Sequence, residues 1–219
     1  MTPEPTSFLY PFIDAEENDV ATLLVDLASS ARSKLATSAA LRVASLDGHA
    51  GELVSAGEAM ARRFELGARM FTFGNGGSAT DAEATAELFR DADSGQPVAA
   101  LSLVDDPAAI TALANDVGFD LVFSRQIIAH ARPGDIAIGF STSGDSVNVL
   151  RALEEATRRR LLTIGFCGYD GGAMASSDCV EHCFVVRSDS VHRIQETQAA
   201  LMFELWSVVQ RSLRERNPS

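Results

Sequence analysis

The sequence predicts an α/β fold in which helices cover both faces of a doubly wound parallel sheet. Three observations support this prediction. From about residue 69 onward, short apolar runs alternate with helical stretches. Most of these runs are almost continuously apolar, as expected for strands buried on both faces. The 219-residue chain is 46% hydrophobic, which is enough to build one core of this size.

The first third of the chain predicts a helical hairpin. Asp14 and Glu17 resemble a capping box, and apolar residues then recur at helical spacing as far as Leu35. A second helical pattern includes Leu53 and Phe64 and stops at a glycine that favours a C-terminal cap. We therefore expect residues 1–67 to form a helical extension that packs on the core or on a neighbouring subunit.

Five apolar runs predict the strands of the main domain, residues 68–219. The runs are ARMFTFG, VAALSLV, DIAIGF, LLTIGFC and CVEHCFVV. Helices are expected to begin near residues 79, 107, 146 and 192, with a short helical turn between the last two strands. In a parallel sheet of this kind, the loops that follow the strands meet at one edge.

The acidic composition disfavours two classes of partner. The formal net charge is −12 at pH 7, whereas proteins that bind nucleic acid or anionic membranes present a basic face. No apolar stretch reaches 18 residues, and the first residues lack a basic segment followed by an apolar one. Neither nucleic acid nor a membrane is therefore expected as a direct partner.

The cysteines favour a reducing, cytoplasmic location. Cys167, Cys179 and Cys183 are odd in number and lack the spacing of a disulfide framework. Cys179, His182 and Cys183 could supply soft metal ligands, but their spacing fits no zinc pattern closely. They lie in a strand-like run, so packing in the core is the favoured interpretation and no metal site is predicted.

Two loops rich in glycine and hydroxyl residues predict a phosphate site. One follows the first strand and includes Asn75, Gly76 and Ser78, and the other is STSGDS at 141–146. Glycine permits close backbone approach, serine and threonine supply hydroxyl groups, and a helix N-terminus adds positive potential. Neither a G-x-G-x-x-G motif nor a P-loop lysine motif is present. Simple helix capping is the alternative role for such loops.

Five segments together resemble a known family. The segments are GNGGSATDAEATAELF at 74–89, ITALANDVGFDLVFSRQ at 110–126, RPGDIAIGFSTSGDSVNVL at 132–150, GYDGGAMA at 168–175 and RIQE at 193–196. In order and spacing, they closely resemble the sugar isomerase (SIS) domain proteins of the phosphoheptose isomerase group. The resemblance covers the chain from about residue 50 onward. It implies a five-stranded flavodoxin-like sheet, a homotetramer with sites between subunits, and binding of a sugar phosphate.

The resemblance also assigns binding roles to individual residues, all of which are present. It places the phosphate on four hydroxyl residues of the second loop, which are Ser141, Thr142, Ser143 and Ser146. Asn75, Gly76 and Ser78 would approach the sugar phosphate from the first loop. Asp105 would hold sugar hydroxyls, and Gln195 would face the reacting end.

The catalytic positions of the family are not retained. Where the resemblance places a histidine and the base glutamate, six and ten residues after Ser78, this chain has Ala84 and Leu88. The second catalytic histidine, eight residues after Gln195, is replaced by Phe203, which we expect on an apolar face. The isomerases need an acid and a base to move a proton between adjacent carbons. A site with these replacements should not run the family mechanism.

Two other residues are candidate substitutes. Glu87 precedes a leucine, as the family glutamate does, but a shift of one residue turns a helical side chain by about 100°. It would reach the site only if the helix is rebuilt, and with Glu83 it forms either a metal pair or an ordinary acidic surface pair. His192 stands where the isomerases carry an acidic residue, and it is either a substitute base or a solvated residue at a helix start.

Three functions remain open at this point. The first is a phosphosugar-binding protein that serves as sensor, carrier or scaffold, without a cofactor. The second is an active isomerase of sedoheptulose 7-phosphate or a related ketose phosphate, acting through Glu87 and His192; only this alternative leaves a place for zinc. The third is a protein-interaction tetramer similar to the replication-initiator-associating member of the same group. Under this third hypothesis, the protein partner of this chain should bind without the sugar phosphate.

Overall fold

The computed structural model describes residues 20–216, with the exception of residues 92 and 94. Its helices are α1 (Val20–Glu65), α2 (Gly77–Arg90), α3 (Pro107–Asp116), α4 (Val122–His130), α5 (Val147–Arg158), α6 (Gly172–Ala175) and α7 (Val191–Arg216). A 3-10 turn covers Phe119–Leu121. Its strands are β1 (Met70–Gly74), β2 (Ala100–Ser102), β3 (Ile136–Ser141), β4 (Leu162–Gly168) and β5 (His182–Val186).

The strands form one parallel sheet in the order β2-β1-β3-β4-β5. The prediction of a doubly wound, flavodoxin-like sheet is therefore confirmed. From β1 the chain crosses to β2 on one side, and it then returns to place β3 on the other side of β1. This reversal creates a crevice beyond the carboxyl ends of β1 and β3, where ligands bind in open α/β sheets.

Alternation along the strands builds a core on each face of the sheet. On one face, Phe140, Phe166 and Phe184 stack across adjacent strands, with ring centroids 5.0 and 4.9 Å apart. On the other face, Phe73 packs against Phe123 of α4 at 5.5 Å. Burial of each of these rings removes a large apolar surface from water. This burial stabilises the packing on both faces of the sheet.

The predicted helical hairpin is wrong, because α1 is one continuous helix of 46 residues. The segment between the two predicted helices contains no proline and several alanines, and these residues favour continuation of a helix. Gly48 and Gly51 lie within α1 without ending it. The proposed capping box of Asp14 and Glu17 lies outside the described residues.

Contacts divide the chain after Ala40 rather than at the predicted boundary of residue 67. The second unit begins at Leu41, because Leu53 and Met60 are fully buried in its core. The described part of the first unit is helical, and Leu24, Leu27 and Leu35 are more than half exposed there. No helix among the described residues is long and apolar enough to cross a bilayer.

The remaining helices begin close to the predicted positions, with one difference. The single helix expected from residue 107 is two helices, α3 and α4, joined by the 3-10 turn. Gly118 separates them with φ +99°, a conformation that favours glycine. The break lets α4 present Phe123 and Ile127 to the core, while α3 has no buried residue.

Candidate functional site

The second glycine- and serine-rich loop, residues 141–146, is a compact turn between β3 and α5. Ser141 donates a hydrogen bond to Ser146 Oγ at 2.9 Å, and the N–H of Gly144 donates to Ser141 Oγ at 3.1 Å. The N–H of Asp145 donates to Ser143 Oγ at 3.2 Å. Ser146 precedes α5 without a side-chain bond to its first N–H groups. Three hydroxyl groups therefore gather at a helix N-terminus, an arrangement suited to an anion.

The GYDGG segment, residues 168–172, packs against this loop and fixes its position. The N–H of Gly168 donates to the Thr142 carbonyl at 2.9 Å, and the carboxylate of Asp145 accepts from the N–H of Ala173 at 2.8 Å. Gly144 has φ +75°, and a Cβ there would overlap the backbone of Gly171. The glycines thus allow two loops to pack backbone against backbone, which fixes the position of the serines.

The first glycine-rich loop is joined to α5 by a pair of amides. Asn75 Nδ2 donates to Asn148 Oδ1 at 2.8 Å, and Asn148 Nδ2 returns a bond to Asn75 Oδ1 at 2.9 Å. Asn148 lies in the first turn of α5, directly after the serine loop. Gly76 has φ +56° and is exposed, while Ser78 is 4% exposed. The structure therefore brings together the two loops that the sequence singled out.

Gln195 lies beside the first loop. Its amide approaches Gly77 so closely that a Cβ at this glycine would overlap it, and Gln195 Nε2 donates to Asp81 Oδ2 at 3.2 Å. Burial raises the pKa of the Asp81 carboxyl, and the hydrogen bond from Gln195 partly offsets this effect. His192 is exposed and lines the same open hollow as Asp81 and Gln195. Gly77, Asp81, His192 and Gln195 thus form one continuous surface.

A separate cavity lies between α2 and α7, with a volume of about 180 Å³. It shares Asp81 with the open hollow. Its apolar lining includes Ala84, Leu88, Phe140, Met202 and Phe203. Three of these, Ala84, Leu88 and Phe203, are the positions at which the resemblance places catalytic side chains. At the three positions that the resemblance assigns to catalysis, the cavity therefore carries side chains that exchange no protons.

Phe203 differs from the sequence expectation. It is 55% exposed rather than buried in an apolar face, and it packs against Trp206 with ring centroids 5.4 Å apart. Leu205, by contrast, is fully buried. The helical period separates the two residues, because Phe203 lies on the cavity side of α7 and Leu205 faces the sheet.

The structure keeps Glu87 and Asp105 away from this cavity and from the open hollow. Helix α2 is continuous, so Glu87 is exposed, whereas Ala84 and Leu88 line the cavity. The helix is therefore not rebuilt in the way that a catalytic Glu87 requires. Asp105 is exposed in the loop after β2 and pairs with Arg90 at 3.8 Å. Its role in holding sugar hydroxyls stays a prediction.

Ala84, Leu88 and Phe203 offer no ligand atoms for a metal ion at the three positions of the cavity where the resemblance places catalytic side chains. In the described part of the chain, no group of three or more histidine, cysteine or acidic residues could hold a metal. His182 is buried and bonds through Nδ1 to Glu52 at 2.6 Å. The Cys167 and Cys183 sulfurs are 3.6 Å apart, and their hydrogen bond, together with burial, raises the pKa of the Cys167 thiol.

Sequence reasoning missed three polar residues of this region. Asn148 joins the two loops, Asp81 connects the hollow to the cavity, and Gln198 lines the cavity. Gln198 is fully buried, and neither atom of its amide has a hydrogen-bond partner among the residues that the structure describes. A glutamine among apolar residues at helical spacing was the available signal, because buried polar groups usually serve a contact.

The fold agrees with comparisons to known proteins. The profile of the SIS domain matches residues 35–168. The chain therefore belongs to the SIS domain family. The phosphoheptose isomerase of Aquifex aeolicus is 38% identical over 182 residues, which cover 82% of this chain and 94% of that protein. The phosphoheptose isomerase of Nitratiruptor sp. is 46% identical over 143 residues, or 64% of this chain and 74% of that protein.

A solved structure supports the same relationship. The phosphoheptose isomerase GmhA of Neisseria gonorrhoeae is 33% identical, and the match covers 84% of this chain and 99% of that one. Its TM-score is 0.78. The described part of this chain thus has the architecture of the phosphoheptose isomerases, whereas its cavity differs from the pattern expected for their catalytic groups.

Proposed function

We propose that this protein binds a sugar phosphate and acts as a sensor, carrier or scaffold rather than as an isomerase of the family type. One observation carries the proposal: Ala84, Leu88 and Phe203 line the cavity at the positions where the resemblance expects a histidine, a glutamate and a second histidine. Isomerisation of an open-chain sugar moves a proton between neighbouring carbons and needs a base and an acid. Hydrocarbon side chains supply neither.

The binding half of the site supports the same proposal. Ser141, Ser143 and Ser146 gather their hydroxyls at the start of α5, and Asn148 joins their loop to Asn75. No lysine or arginine lies within residues 141–146, so a phosphate is held there by hydroxyls, backbone N–H groups and the helix dipole. This mode of binding suits a strongly acidic protein.

We also propose an oligomeric state and a cellular location for this protein. Leu24 and Leu35 lie on one side of α1, and each is more than half exposed. Burial of such a stripe favours association, and we propose a homotetramer, as the resemblance implies. A protein partner on the tetramer is compatible with a scaffold role. The three cysteines are free thiols, in keeping with a reducing compartment such as the cytoplasm.

A second candidate is an active phosphoheptose isomerase with substitute groups. The observation in its favour is that His192 and Asp81, both titratable, line the same hollow as Gln195. Under this alternative, Asp81 or His192 would move the proton, and Glu87 would have no part unless α2 rearranged. The two candidates differ in whether bound sugar is converted.

Calorimetric titration with sedoheptulose 7-phosphate tests the binding half. We expect saturable binding by the wild type and at least tenfold weaker binding by Ser146→Ala, because a hydrogen bond to a charged group contributes about 1.5–3 kcal/mol. Ser33→Ala, which removes an exposed hydroxyl of α1, is the matched control and should bind as the wild type does. Equal binding by wild type and Ser146→Ala would remove the assigned phosphate site.

A further inference from the structure

Two cysteine thiols lie side by side where β4 and β5 meet. The sulfurs of Cys167 and Cys183 are 3.6 Å apart, which is within hydrogen-bond distance for a pair of thiols. Cys167 is fully buried, whereas Cys183 is partly exposed. Neither thiol belongs to the residues assigned above to sugar-phosphate binding. The pair therefore combines one thiol that solvent reaches with a second thiol that supports it from inside the protein.

The strand register keeps this pair from closing into a disulfide. Cys183 pairs with Gly165 of β4, and Cys167 pairs with Val185 of β5, so the cysteines are offset by two residues along the strands. Two residues of strand extend about 6.6 Å and neighbouring strands are about 4.8 Å apart, which separates the two Cα atoms by roughly 8 Å. A disulfide bridges Cα atoms that are at most about 7 Å apart. The two cysteines therefore stay a thiol pair while the sheet keeps this register.

The surroundings decide which of the two thiols ionises. The hydrogen bond with Cys183 and burial both raise the pKa of the Cys167 thiol, so Cys167 keeps its proton. The same hydrogen bond stabilises the thiolate of Cys183 and lowers its pKa, and burial offsets this effect only in part. Cys167 is therefore the donor, and Cys183 is the acceptor.

Charged groups act on the pair from three other segments. Arg187, directly after β5, favours ionisation of Cys167, whereas Asp145 in the serine loop opposes it. Glu52 of α1 disfavours the Cys183 thiolate, and it also bonds to His182 at 2.6 Å. The contact with Cys167 has a larger effect on the pKa of Cys183 than Glu52 does. The neighbouring thiol, rather than a charged side chain, thus stabilises the Cys183 thiolate.

Cys179 provides an internal comparison. It is also partly exposed, and it lies in the turn before β5, four residues before Cys183. Among the residues that the structure describes, none forms a hydrogen bond to the Cys179 sulfur, in contrast to the Cys183 sulfur. Because the thiolate is the nucleophilic form of cysteine, Cys183 should react faster than Cys179.

We infer that Cys183 is a modification site for small peroxides, with Cys167 as the hydrogen-bond donor that holds its thiolate. The Cys183 sulfur attacks one oxygen of hydrogen peroxide, the O–O bond breaks, and the released hydroxide takes up a proton and leaves as water. The sulfur is oxidised by two electrons to a sulfenic acid, and the peroxide is reduced. Two equivalents of a small thiol restore Cys183 through a mixed disulfide. This inference is independent of the proposed sugar-phosphate binding.

Trapping of the sulfenic acid on the full chain tests this inference. Reduced wild-type protein is treated with a limiting amount of hydrogen peroxide in the presence of dimedone, which forms a stable adduct with sulfenic acids. Trypsin leaves all three cysteines in one peptide, residues 161–187, so further cleavage after Asp and Glu separates them for mass spectrometry. We expect about ten times more adduct at Cys183 than at Cys179 or Cys167. Equal labelling of Cys179 and Cys183, or a Cys167–Cys183 disulfide as the main product, would overturn the inference.

Two substitutions at Cys167 separate its hydrogen bond from its packing. Cys167→Ala removes the donor and should slow the labelling of Cys183 by roughly tenfold, the change in thiolate population that a shift of one pKa unit produces. Cys167→Ser keeps a donor of similar size and should retain most of the rate. Cys179→Ser is the matched control and should leave the Cys183 rate unchanged. A wild-type rate in a folded Cys167→Ala variant would overturn the role of Cys167.

The pH dependence of alkylation gives a readout that needs no variant. The rates at which iodoacetamide modifies Cys183 and Cys179 in the wild type are measured from neutral to alkaline pH. The Cys183 rate should reach its plateau at a lower pH than the Cys179 rate does, because its thiolate is stabilised. Coincident profiles would contradict a stabilised thiolate. No sugar phosphate is present in these experiments, so their failure leaves the proposed function in place.

Discussion

At the scale of single residues, Asp81 is the ionisable group most affected by its surroundings in this region. It lies on α2 between the open hollow and the apolar cavity, and it accepts a hydrogen bond from Gln195. Burial disfavours its charged form and raises its pKa. The folded state therefore holds the Asp81 proton more tightly than the unfolded state does. Ionisation of Asp81 costs stability at neutral pH, and this cost disappears as the pH falls through the raised pKa.

Asp81→Asn should consequently stabilise the protein in a pH-dependent manner. Asparagine retains an oxygen that accepts from Gln195 and carries no charge to desolvate. The difference in the free energy of unfolding between variant and wild type should be positive at neutral pH and should shrink as the pH falls through the raised pKa of Asp81. Urea denaturation followed by circular dichroism at a series of pH values measures this difference. A difference independent of pH would contradict the assignment of the cost to the Asp81 charge.

At the scale of secondary-structure elements, α1 shows a feature that the sequence did not predict, which is one continuous helix in place of two. Periodicity correctly indicated helix up to Leu35 and again from Leu53, but the predicted hairpin between the two is absent, because α1 runs through the segment without a break. A glycine inside a helix costs only about 1 kcal/mol relative to alanine, so local sequence alone cannot decide between a turn and a continuous helix. In helix α2, the helical period separates Glu87, which is exposed, from Ala84 and Leu88, which line the cavity.

A glycine substitution distinguishes the continuous helix from a hairpin. Gly51 lies inside α1, is exposed, and has no atom within 4 Å of an added Cβ. Gly51→Ala should therefore raise the free energy of unfolding by about 0.5–1 kcal/mol. Gly67→Ala is the control and should destabilise the protein, because Gly67 has φ +80° at the end of α1. Destabilisation by Gly51→Ala would indicate a turn there.

At the scale of the whole molecule, the sequence predicted the sheet and the two loops at its edge. It did not predict several contacts between side chains that are distant in the sequence. Near-continuous apolar strands and glycine-rich turns are local signals, and parallel topology then places the loops at one edge. The Asn75–Asn148 amide pair joins residues 73 positions apart. The isolation of Gln198 likewise depends on side chains from α2 and α7 together. Such features arise from tertiary packing, to which a single sequence gives no direct access.

The exposed apolar residues of α1 lead to a prediction on assembly. Light scattering coupled to size-exclusion chromatography should give a mass four times the 23.3 kDa of one chain. Leu24→Glu combined with Leu35→Glu places two charges on the exposed stripe and should reduce the mass of the assembly. Ser33→Glu, at a residue of α1 that carries no apolar side chain, serves as the control. A monomeric wild type would contradict the proposed homotetramer.

The central claim is that the protein binds a sugar phosphate without isomerising it, and NMR tests this claim most directly. The protein is saturated with sedoheptulose 7-phosphate, with and without added zinc, and signals of the aldose heptose phosphate are followed over time. The phosphoheptose isomerase of Neisseria gonorrhoeae is the positive control. Our account predicts bound sugar and no aldose signal above the protein-free sample. Aldose formation at a rate proportional to protein concentration would contradict it and direct attention to Asp81 and His192.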